Sequence, residues 1–124
     1  MATLPEDVSK AWENKKGAII LTTVAADGTP NAIYASCVRR LGEDAIVVAD
    51  NFFDKTRANL LAGSKGSILF ITEDGKSFQV KGPVARQTEG EAFDFMKSWN
   101  GDRPGHAAAV LTVEEAYSGA KKLL

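Results

Sequence analysis

Two Asp-Gly pairs constrain this chain more than any other feature. Asp27-Gly28 lies between AIILTTVA (18–25) and NAIYASCVRRL (31–41), and Asp74-Gly75 between GSILFIT (66–72) and FQVKGPVARQ (78–87). Tight hairpins select this pair because glycine takes up the positive φ that the turn needs. The flanking runs are rich in β-branched residues, which suit a pleated, half-buried surface. With DAIVVAD (44–50) and AAAVLTVEEAY (107–117), six strands are expected. Six strands on such short connections point to an all-β closed sheet or small barrel, with helices plugging its ends.

Three helices complete the pattern. Thr3-Leu4-Pro5-Glu6 reads as a capping box with an early proline, opening a helix that keeps Val8, Ala11 and Trp12 on one side and ends at Gly17. A short helix is expected over 54–62, stopping near Gly63. Thr88 and Glu91 form a second capping box ahead of Ala92, Phe95, Met96 and Trp99, which share one helical face. Pro83 has no N–H for a ladder bond, so it marks an edge or a bulge. The 124 residues suit a single domain, 1–124, and 44% hydrophobic content suffices for a core.

Several chemistries find no support. Fifteen basic and sixteen acidic residues leave a formal charge of −1 with no basic stripe, so no nucleic-acid partner is expected. No apolar run approaches the roughly 18 residues of a membrane span, and the amino terminus lacks a signal-peptide pattern. The expectation is a cytoplasmic protein with no membrane partner. Cys37 is the one cysteine and His106 the one histidine, so neither a disulfide nor a Cys/His metal cluster is in reach. Neither a Gly-x-Ser-x-Gly elbow nor a Gly-x-Gly-x-x-Gly loop occurs.

ADNFFDKTRANL (49–60) holds the most suggestive chemistry. An apolar strand opens there onto Asp50, Asn51, two phenylalanines, and then Lys55, Thr56 and Arg57. If Asp54 caps the short helix, Lys55 and Thr56 stand in its first turn, on the surface, where cations oppose the helix dipole and an anion would relieve them. On spacing alone, an anion site and a pair of solvated charges are equally open. Phe52 and Phe53 fit either a ligand wall or ordinary core. In YASCV (34–38), Ala35, Ser36 and Cys37 are small enough to let a flat ligand approach, or to pack under a helix. An anion cradle with little acid–base equipment suits a protein whose chemistry belongs to a bound cofactor.

These segments resemble the FMN-binding split-barrel proteins related to pyridoxamine 5′-phosphate oxidase. The likeness rests on the order of elements, on DGTPNAIYASCV as first hairpin, and on IVVADNFFDKTRANLLAGSKGSILFI running into FQVKGPVA. It implies a six-stranded antiparallel split β-barrel and FMN as cofactor. Lys55 and Thr56 would hold the FMN phosphate. Tyr34, Ala35, Ser36 and Cys37 would run beside the flavin, and Asp50, Asn51 and Phe52 would border its ring or ribityl chain. Strand five of the oxidases carries a glutamine near the flavin. The matching position here is Ser77, and Gln79 lies two residues on, on the same strand face. A homodimer with FMN at the subunit interface is implied.

The basic C-terminal segment of the oxidases has no counterpart before Leu124, so vitamin B6 oxidation is not the expected activity. The expectation is a small redox flavoprotein exchanging electrons with a small molecule or a protein partner. Alternatives are a non-catalytic flavin-binding, storage or sensing module, or a split barrel using a deazaflavin. Haem is the least favoured, since His106 is the sole candidate axial histidine.

Overall fold

The computed structural model describes residues 3–124. In chain order the elements are α1 (Glu6–Glu13), β1 (Ile19–Val24), β2 (Pro30–Ala35), β3 (Val38–Leu41), β4 (Ala45–Asp50), α2 (Lys55–Leu61), β5 (Lys65–Ile71), β6 (Ser77–Gln87), α3 (Glu91–Trp99), β7 (Ala107–Thr112), β8 (Glu115–Ser118) and β9 (Lys121–Lys122). All strand pairs are antiparallel. Both Asp-Gly turns form as the sequence predicts. Gly28 and Gly75 sit at φ +90° and +84°, and Asp27 Oδ1 accepts from the Thr29 N–H at 3.0 Å.

The strands follow the order β2-β1-β5-β6-β7-β4-β3, with β8 beside β6 and β9 beside β8. The sheet curls into a barrel, but its end strands β2 and β3 do not pair with each other. An open seam is left there, and the chain crosses it at Ser36 and Cys37. β6 serves both halves. Ser77 to Pro83 pair with β5, and Val84 to Gln87 pair with β7. Pro83 thus stands at the hand-over, opposite Lys65 at the edge of the β5 ladder. Gly82 allows the crossing, since a Cβ there would lie 1.8 Å from the Thr112 carbonyl oxygen.

Among the described residues nine strands form rather than six. NAIYASCVRRL splits at Ser36-Cys37 because β2 and β3 join opposite ends of the sheet. The run 107–117 splits where Val113 donates to Asp44 O and Glu114 to Lys81 O, which turns β8 from β7 towards β6. The polar tail folds back as β9. Neither capping box forms. α1 starts at Pro5, whose carbonyl accepts from Val8 and Ser9, and α3 starts at Gly90; neither end has a side-chain cap. α1 also stops at Glu13, ahead of Gly17, because Lys15 bridges to Thr72.

Every residue of β4 is buried. Ile46 and Val48 face the barrel core with Ile19, Leu21, Ile68, Val80 and Leu111. Ala45, Val47 and Ala49 face the other way, under Ala92 and Met96 of α3. A strand covered on both faces reads as continuously apolar, as AIVVA does.

Candidate functional site

The seam holds a concave site of about 280 Å³. Its wall is Ile33, Tyr34, Ala35, Ser36 and Cys37 where β2 runs out, facing Ala49, Asn51, Phe52 and Phe53 from the end of β4. Arg103 closes the rim from the α3–β7 loop. Small side chains at 35–37 and 49 leave the hollow. Tyr34 and Phe52 stand 78% and 82% exposed beside it, offering aromatic surface at its rim. Phe53 turns inward and joins the core.

α2 stands next to this seam. It has only seven residues, and Leu60 is its one buried apolar side chain. Such a helix has little stability of its own. Three side-chain links hold it to three strands. Asn31 Nδ2 on β2 donates to Thr56 Oγ1 at 3.1 Å. Asn59 Nδ2 donates to Thr23 Oγ1 on β1 at 3.0 Å. Arg57 grips Asp50 at the end of β4 through Nε and Nη2, both at 2.9 Å.

Asp50 is the most tightly held group in the region. Its side chain is 0% exposed. Beyond Arg57, it accepts from Arg86 Nε and Nη2 at 3.1 and 3.0 Å, and from the Phe53 N–H at 3.2 Å. Burial pushes its carboxyl pKa up. The bonds from Arg57, Arg86 and Phe53 outweigh that and hold it below the ordinary value of 3.8.

Asn51 is engaged as well. Its Oδ1 accepts from Asn100 Nδ2 at 2.8 Å and from the Gly105 N–H at 2.9 Å, while its Nδ2 donates to Asn100 Oδ1 at 3.2 Å. This buried pair ties the α3–β7 loop, and so the base of Arg103, to the floor of the site. Lys97 Nζ adds a bond to Pro104 O at 3.3 Å.

The residues singled out by sequence fall into three groups. Tyr34, Ala35, Ser36, Cys37, Asn51 and Phe52 meet at the hollow. Asp50, Lys55 and Thr56 lie at and just beyond its β4 side, with the Asp50 carboxylate committed to its two arginines. Lys55 is exposed, and among the described residues no side chain pairs with it. Thr56 corrects the expectation of two surface side chains. It is 1% exposed, because it turns under α2 to meet Asn31. Gln79 lines a separate depression with Thr22, Ser67 and Lys81 on the outer face of the sheet. The sequence reading noted Arg57 only as a first-turn cation beside Lys55 and missed its bond to Asp50, and it missed Arg86 and Arg103 altogether. Arg57 lies seven residues from Asp50 and Arg86 thirty-six, so spacing carried no signal.

The open seam between β2 and β3 defines a split β-barrel of the FMN-binding type. The chain belongs to the pyridoxamine 5′-phosphate oxidase family, whose sequence model matches residues 5–121. Solved structures repeat the fold. HupZ of Group A Streptococcus superposes with TM-score 0.79 at 23% identity, covering 93% of each chain. An FMN-binding protein of Syntrophomonas wolfei gives 0.73 at 26% identity, over 89% of this chain and 81% of that one. An F420 reductase gives 0.70 at 16% identity, over 92% and 98%.

Proposed function

We propose that this chain binds FMN at the seam and works as a redox flavoprotein that exchanges electrons with a small molecule or a protein partner. The observation that carries the reading is the meeting, at one open seam, of a small-residue wall, two exposed aromatics and, on the adjoining helix, a lysine that no described side chain pairs with. The residues fit the group. Lys55 supplies a free cation for a phosphate dianion, and the Thr56 hydroxyl keeps its hydrogen for donation while its oxygen accepts from Asn31. α2 is too short for its free amides to make an anion site alone, so these side chains carry the phosphate end. Ala35 to Cys37 leave room for a flat ring, and Phe52 and Tyr34 offer aromatic surface to it. Bound FMN would supply hydride and single-electron chemistry, with the protein setting its orientation and surroundings.

A homodimer belongs to the same reading. Tyr34, Ile20, Leu69, Gln79 and Tyr117 stand in register across five strands on the outer face. Tyr34 and Leu69 are exposed there, so this face offers apolar surface to a second copy. Three strand spacings of about 4.8 Å separate Tyr34 from Gln79, roughly 14 Å. That distance puts Gln79 out of reach of a ligand confined to the seam of its own chain.

The family typically binds flavin, and the F420 reductase among the similar structures makes a deazaflavin the second reading. An absorption spectrum of purified protein, with mass identification of what denaturation releases, separates the two. Titration of apoprotein tests the phosphate end. FMN should bind at least about a hundredfold more tightly than riboflavin, the worth of two charge-assisted bonds. Equal affinities would refute the role given to Lys55 and Thr56.

A further inference from the structure

Asp50 lies between the hollow and α2, yet neither carboxylate oxygen is left for a ligand. Oδ1 receives Arg57 Nη2 and the Phe53 N–H, and Oδ2 receives Arg57 Nε and both Arg86 nitrogens. Arg86 belongs to β6, Asp50 to β4 and Arg57 to α2. One buried carboxylate thus clasps the helix to two strands on opposite sides of β7. The helix needs such a clasp, since Leu60 is its only buried apolar side chain and Leu61 is exposed. Its other two links, Thr56 to Asn31 and Asn59 to Thr23, are single bonds between neutral groups. The Asp50–Arg57 contact is bidentate and charge-assisted, which fixes direction as well as distance.

We infer that Asp50 is a positioning residue: through Arg57 it sets where Lys55 and Thr56 stand, and so how well the site tells a phosphorylated flavin from an unphosphorylated one, without touching the ligand. The inference rests on the FMN reading for its ligand, but the clasp itself does not depend on it. Lys55 lies two residues before Arg57 on the same helical turn. A helix released from Asp50 carries Lys55 with it, while Ala35, Ser36 and Cys37 stay on the strand side of the seam. Loss of the clasp should then weaken recognition of the phosphate and spare recognition of the ring.

Two measurements on Asp50→Asn and Arg57→Ala test this. Arg57→Ala keeps the Asp50–Arg86 pair, so it remains informative if Asp50→Asn does not fold. Hydrogen exchange should run faster across 54–62 in both variants, by at least about tenfold more than any change in α1 and α3. The ratio of FMN to riboflavin affinity should fall about tenfold, with riboflavin affinity held within about twofold. Unchanged exchange in α2 would overturn the clasp. Equal weakening of both flavins would overturn the positioning role, since general destabilisation does not distinguish them. Wild-type protein that binds both flavins equally would refute the phosphate reading and the affinity half of this inference, while the exchange data would still decide the clasp.

Discussion

Lys55 and Thr56 are adjacent and have opposite surroundings. Lys55→Ala removes an exposed cation that no described side chain pairs with, so it should weaken FMN binding, flatten its salt dependence and leave the unfolding midpoint unchanged. Thr56→Val removes a buried acceptor from Asn31 and should cost about 1 kcal/mol of stability as well as affinity. Denaturant titration beside flavin titration separates these effects; identical stability in the two variants would contradict the buried placement of Thr56. Asp50 gives a pH signature. Its folded pKa lies below the ordinary 3.8, so its ionised form stabilises the fold above about pH 4. That contribution fades as pH falls through the lower, folded value. Asp50→Asn, facing Arg57 and Arg86 with no carboxylate, should lose about 3 kcal/mol at neutral pH and show a shallower loss of stability below pH 4. An acid limb as steep as wild type would place the acid-sensitive group elsewhere.

At the scale of elements, two close contacts hold the architecture. β6 crosses from one half of the barrel to the other at Gly82, where only hydrogen fits against the Thr112 carbonyl. The obstacle is backbone, which cannot swing aside as a side chain does. Gly82→Ala should cost at least about 2 kcal/mol, visible as a lowered denaturation midpoint. A near-neutral result would mean that β6 and β7 do not approach so closely. The end of β4 is joined to the α3–β7 loop by the Asn51–Asn100 pair. Asn51→Ala strands the Asn100 amide and the Gly105 N–H, costing about 2 kcal/mol. It should also open 101–104 to protease, a change that limited digestion detects. Resistance equal to wild type would show that Lys97 alone secures the loop.

For the whole molecule the proposed function implies assembly. In the proposed reading, the face that exposes Tyr34 and Leu69 and the bare aromatics at the seam suit a two-fold pairing with two equal flavin sites. Light scattering of holoprotein at micromolar concentration should report about 26 kDa, twice the 13.2 kDa chain. If FMN touches both chains, flavin must tighten the dimer by the factor by which dimerisation tightens flavin. A monomer at tens of micromolar with flavin fully bound would refute this arrangement.

Local chemistry was enough for part of this protein. Asp-Gly turns, β-branched runs and the i, i+3, i+4, i+7 face of α3 determine hairpins and helices, because such choices depend on neighbours in sequence. The small residues at 35–37 and the Asp50-to-Thr56 stretch were legible as a candidate site for the same reason: each is one short segment. Capping boxes were read where none forms, since Pro5 and Gly90 start their helices without a side-chain cap. Only tertiary structure decided that two long strands break at Ser36-Cys37 and at Val113-Glu114, because each break answers to which strands lie alongside. The same holds for Asp50, whose arginines come from α2 and from β6, and for Asn51, which closes on Asn100. A buried carboxylate or amide takes whatever partner the fold brings to it, and that partner has no fixed distance along the chain.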